Sequence, residues 1–168
     1  IGALLAGQAD FIRQVQAYDE PQVEAQGFTI HAPSTRGINN SVVFRPDNPL
    51  VADVRVRQAL LAATNRPEIV STLFSKNYPV ATSIIASTAI GYVDQSDKLG
   101  FDLEKAKALV AETAGKDGFT FPILITVGDA VEAQVAQLVQ ASLQQLGGTI
   151  TIEQVEPGIA RERVQTTQ

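Results

Sequence analysis

The chain has 168 residues, 45% of them hydrophobic and 18% charged, with a formal net charge of −5. That length buries a core of its own, and no apolar run approaches the roughly 20 residues a spanning helix needs. The acidic balance disfavours nucleic acid, whose capture rests on Lys and Arg against phosphate, and the lack of cysteine excludes disulfides and thiolate metal sites.

In chain order, residues 1–8 read as a short helix and 10–13 as a strand. Residues 20–26 suit a second helix, ended by Gly27. FTIHAPS (28–34) and SVVFRP (41–46) are strand-like, joined by the turn-rich STRGINN. Asp53 then caps a helix whose Val56, Ala59, Leu60 and Ala63 make one apolar face. Asn65 and Glu68 have capping-box spacing for the next helix, with Pro67 in its first turn, where a missing N–H is harmless. Residues 78–100 show no period and read as a long loop. Asp102 caps LEKAKALVAETA, with Ala106, Leu109, Val110 and Thr113 inward. FTFPILITV (119–127) is a buried strand, Asp129 and Glu132 open the longest amphipathic helix, and TITIEQV alternates as a strand after Gly147-Gly148. This β-α-β unit favours parallel pairing. The whole is one α/β domain over residues 1–168, with a mixed sheet and helices on its faces. With no methionine, even at position 1, the chain reads as an excised fragment.

Catalytic signatures are lacking. His31 is the lone histidine and reads as a structural or surface residue in an alternating strand; a small hydrolase would have to use it, yet no G-x-S-x-G is present. A histidine-based zinc site lacks its second histidine, and neither phosphate-binding glycine motif appears. Asp53, Asp102 and Asp129 are cap residues rather than paired catalytic carboxylates, so no catalytic residue, metal site or cofactor is assigned. Arg55 and Arg57 point to different sides of their helix and read as structural.

Two loops could bind a ligand. NYPVATSIIASTAIGY (77–92) interleaves hydroxyl and apolar residues and offers Tyr78, Thr82, Ser83, Ile84 and Tyr92. Residues 127–131 lie at a strand's carboxyl end and a helix's start, offering Gly128 and Asp129 where ligands and anionic groups favour binding. Either could equally be an ordinary connection.

Four segments, in order and over nearly the whole chain, resemble the family 5 extracytoplasmic solute-binding proteins of ABC importers. IGALLAGQADFI resembles the family's "A-L-x-x-G-x-x-D" helix and strand, and VADVRVRQALLAATNRPEIV its "D-x-x-V-R-Q-A-L-x-x-A-x-D-R-x-x-I-V" signature. LGFDLEKAKALVAETAGKDGF resembles "Y-D-P-E-K-A-K-x-L-L-x-E-A-G-x-x-x-G-F", and VAQLVQASLQQLGGTITIEQVE matches "x-A-x-x-I-Q-x-x-L-x-x-I-G-I-x-V-x-I". Asn65 stands for the usual Asp and Arg45 for the usual Asn. No arginine lies in 127–131, where some dipeptide binders hold the ligand carboxylate, so that type of pocket is not expected.

The resemblance implies the C-terminal lobe of a type II periplasmic-binding-protein-like clamshell, with the N-terminal lobe and the final return segment outside the sequence. It implies no enzyme. It implies a substrate-binding component that captures an oligopeptide or similar small solute against the N-terminal lobe of the same parent chain and delivers it to the ABC permease. The expected place is extracytoplasmic, as a lipoprotein anchored through the parent's N-terminus. A sensor or chaperone domain reusing the lobe is the further alternative.

Overall fold

A computed structural model describes residues 1–13, 15–33, 37, 39–45 and 47–165, without the side chains of Val164 and Gln165. These residues form eight helices and two strands: α1 (Gly2–Leu5), α2 (Glu20–Ala25), α3 (Pro49–Ala52), α4 (Val54–Ala63), α5 (Arg66–Leu73), α6 (Leu103–Ala111), β1 (Phe119–Thr126), α7 (Ala130–Gln144), β2 (Gly148–Val155) and α8 (Pro157–Gln165).

The caps fall where their side chains predict. Asp53 accepts from the Arg55 amide, Asp102 from Lys105, Asp129 from Glu132 and Asn65 from Glu68. Each satisfies an amide that has no carbonyl within its own helix. The Asn65 box is closed differently from the usual one: Asn65 Nδ2 donates to Glu68 Oε2 at 2.8 Å, so the amide side chain takes the place of the cap's backbone N–H.

Small residues bring α4 and α6 together. Ala59, Ala63 and Ala106 are fully buried, and Val56 and Leu60 nearly so. Alanines at a crossing let two helix backbones approach closely. Val110 and Thr113 turn inward as well, and Leu109 is half-buried against the core. α7 covers the sheet with Ala136, Val139 and Leu143 and packs in turn against α4 and α5, while Ile123, Ile125 and Ile150 supply the sheet's inner face. Burying one such Leu or Ile side chain contributes about 1.5–3 kcal/mol.

Strands β1 and β2 pair in parallel, from Phe119 opposite Gly148 to Thr126 opposite Val155. Gly148 is fixed by packing: a Cβ there would lie 2.4 Å from the Phe119 ring, which stacks on Phe121 with centroids 5.7 Å apart. Gly147, at φ +82°, makes the left-handed exit from α7 that favours glycine.

The sheet is smaller than the sequence suggests. Among the described residues it has two strands, and the expected strands at 10–13, 28–33 and 41–45 do not form. Ser34 and Pro46, at the ends of the second and third of these, and residues 34–36 and 38 of the turn between them lie outside the described residues. Alternation marks a side chain's preference for a pleated surface, but a strand also needs a second backbone to complete its ladder. None of the described residues supplies one to 41–45, where Val42 and Val43 stay 51% and 79% exposed. Two short helices were not apparent from periodicity: α3, capped by Asn48, and α8, which packs beside β1.

Candidate functional site

The long connection between α5 and α6 is anchored to other segments at its start, middle and end. It forms no helix and no ladder beyond an isolated bridge at Ile85, so its polar backbone must find partners elsewhere. At its start, Asn77 Nδ2 donates to the buried Glu20 at 2.8 Å, and Lys76 pairs with Glu24 at 2.9 Å, docking α2 against it. In its middle, Asn39 donates twice: its side chain to Ser83 O at 2.8 Å, its amide to Ile84 O at 3.0 Å. Ala86 N donates to Gly37 O at 2.8 Å. At its end, Asp102 N reaches Ala62 O on α4 at 2.9 Å.

Within the loop, the Thr82 and Tyr92 hydroxyls meet at 2.5 Å, and Gln95 N donates to Thr82 O at 2.9 Å. Asp94 accepts from the Ser96 amide at 2.8 Å, and that bond holds its carboxyl below the usual aspartate range. Arg66, the first residue of α5, donates Nη1 to Ala81 O at 2.7 Å and Nη2 to Leu99 O. Burial alone lowers its pKa from the ordinary arginine value, and a guanidinium remains charged throughout the physiological range.

Thr82, Ser83, Ile84 and Tyr92 therefore share one organised loop. Ser83 is buried, Thr82 and Tyr92 are half-buried, and Ile84 is 72% exposed. Tyr78 sits at the loop's entrance with its ring 5.2 Å from that of Phe74. Ile84 faces an open groove of about 610 Å³, whose other walls include Val42, Val43, Phe44 and Arg57. Arg57 is tied down at the groove's edge, donating Nη1 to Val51 O at 2.6 Å and Ala52 O at 2.9 Å. Arg55 pairs with its own cap, Asp53, at 2.6 Å. Both arginines are occupied as structural residues.

The second candidate region is the turn after β1. Gly128 takes φ +95°, and both Gly128 and Asp129 are exposed. Asp129 is engaged as the cap of α7, and Glu132 folds back to accept from Thr126 N at 3.0 Å and from Thr126 Oγ1. Two carboxylates thus occupy the helix start where an anion would otherwise dock. Among the described hydrogen bonds none joins this turn to the 77–92 loop. His31 is exposed and has no hydrogen-bond partner among the described residues.

Asn39, Glu20 and Arg66 shape the site without having been singled out for it by pattern. Asn39 lies in a turn-rich run that looks like any connection, and Glu20 looks like an ordinary acidic first-turn residue. Arg66 stands between the Asn65 cap and Pro67 at a helix start, and nothing in that setting points to residues 81 and 99.

The chain aligns over 96% of its length with HbpA2 from Haemophilus parasuis, at TM-score 0.74 and 25% identity, covering 33% of that chain. AppA from Bacillus subtilis, an oligopeptide-binding protein solved with a nonapeptide, shares the fold at TM-score 0.72 and 24% identity, over 99% of this chain and 36% of that one. These neighbours place the fold with the type II periplasmic binding proteins.

The family model described as bacterial extracellular solute-binding proteins, family 5 Middle, matches residues 1–168, and the chain belongs to that family. A glutathione-binding protein, GsiB of Shigella flexneri serotype 5b, is 30% identical over 125 residues, 73% of this chain and 23% of that protein. The dipeptide-binding protein of Escherichia coli K12 is 37% identical over 71 residues, 42% of this chain and 13% of that one. The chain thus spans about a quarter or less of the curated relatives it matches.

Proposed function

We propose that residues 1–168 form part of the substrate-binding component of an ABC importer, acting as a C-terminal lobe that captures a peptide-like small solute. The observation that carries this is the family match over residues 1–168. Relatives named for glutathione and dipeptide binding point to a short peptide or peptide-like molecule. The solute would be held between this lobe and the N-terminal lobe of the parent chain, on the extracytoplasmic face, and passed to the permease. Lipid anchoring of the parent belongs to the same proposal.

On this lobe the contacts come from Tyr78, Thr82, Ser83, Ile84 and Tyr92. The loop offers an exposed apolar side chain beside hydroxyl groups and carbonyls, which suits a ligand of mixed polarity. Gly128 and Asp129 form a second edge. With Asp129 and Glu132 both acidic, that edge suits a neutral or cationic group better than a free carboxylate. The role is capture and release, without catalysis.

The test uses the parent protein, purified without denaturation, from which bound molecules are released and identified by mass spectrometry. Short peptides or a peptide-like thiol would support the reading. A single non-peptide solute would keep the receptor and overturn the solute class. Turnover of an ester or amide substrate, abolished by His31→Ala, would replace the receptor with a hydrolase.

A further inference from the structure

The 82–98 segment has the form of a compact surface loop whose two ends meet, and one side chain holds both. Arg66 donates to Ala81 O, just before the segment, and to Leu99 O, just after it. One rung above, Gln95 N bonds Thr82 O and the Thr82 and Tyr92 hydroxyls touch. Among the described residues Arg66 Nε is buried without a hydrogen-bond partner. A buried donor left unmatched is unfavourable, so the side chain is kept in place by its two outer nitrogens. The planar fork of a guanidinium reaches two carbonyls at once in a fixed geometry, whereas an ammonium is a point donor.

We propose that Arg66 is the positioning residue of the solute site: it clasps the 82–98 loop and so sets where Thr82, Ser83, Ile84 and Tyr92 stand. It touches no solute itself. The assignment of those residues to a solute rests on the receptor reading, but the clasp does not. Ends held together remove the closure entropy that a flexible segment of this length would otherwise retain. The loop therefore meets its ligand already shaped, which favours affinity.

The test compares the parent protein with its Arg66→Gln and Arg66→Lys variants, by amide hydrogen exchange and by titration with glutathione and the dipeptide Met-Leu. Loss of two charge-assisted bonds is expected to speed exchange across 82–98 by about tenfold or more, with the amides of α7 and β1 unchanged. Lysine restores one bond and should recover part of the protection. Affinity for whichever probe binds should fall by a similar factor in Arg66→Gln, at unchanged stoichiometry. Unchanged exchange in 82–98, or an equal rise in α7, would overturn the clasp. A loosened loop with undiminished probe affinity would overturn the positioning role. If the wild-type parent binds neither probe, the exchange data alone decide the clasp, and the assigned solute class fails separately.

Discussion

Residues 119–155 and residues 77–100 are both held by hydrogen bonds, but from opposite sources. In the β-α-β unit the backbone satisfies itself: two strands pair rung for rung and the helix between them closes its own turns. In the loop, side chains and backbone from other segments do the work, from Asn39, Arg66, Glu20 and Gly37. A self-satisfied unit keeps its shape as long as its apolar face is covered. A loop held from outside can have its shape changed by a single distant residue, which is what a binding surface requires if it is to be both defined and adjustable.

Leu60→Ala removes a nearly fully buried side chain of α4 from the core, and should destabilise the whole fold by about 2–5 kcal/mol. Chemical denaturation would show a lower midpoint with an unchanged slope. Gly148→Ala is next: the added methyl meets the Phe119 ring, and the strain should cost about 1–3 kcal/mol, read as a lower thermal midpoint. Truncating a cap, Asp102→Ala, should cost about 1 kcal/mol. That variant also sharpens the contrast, because Asp102 N ties the loop's end to Ala62, so a loss confined to α6 would leave loop exchange unchanged.

Tyr92→Phe removes one of two touching hydroxyls in the loop and should cost about 0.5–1.5 kcal/mol, with faster exchange near 82–95 and no effect on β1. The smallest effect is with pH. The Asp53 carboxyl is held below its usual range first by its bond from the Arg55 side chain, and that of Asp94 first by the Ser96 amide. Both release protons more readily folded than unfolded, so their contribution is complete above the unfolded value of about 3.9 and fades as pH falls through the lower folded values. Melting temperature should be flat near neutrality and decline only below about pH 4, and a decline beginning above pH 6 would point to groups other than these two.

How far the sequence could be read follows the same division. The caps at Asp53, Asn65, Asp102 and Asp129 and the stripes of α4, α6 and α7 were legible because a helix writes its period and its ends into adjacent residues. The 28–33 and 41–45 segments misled, because alternation says nothing about whether a partner backbone is present. The loop was legible as a loop and as a candidate site. Its clasp was not, since Arg66 and Leu99 are 33 positions apart and no local pattern links them. Asn39 was hidden in the same way, 44 residues from the Ser83 carbonyl it supports.

Hydrogen exchange of the parent protein with and without its co-purified solute tests the proposed part of the 77–100 loop in solute binding. Exchange in 78–92 is expected to slow on adding the solute, with α4 and α7 unaffected. Protection confined to other segments, with 78–92 exchanging at the same rate in both states, would contradict it.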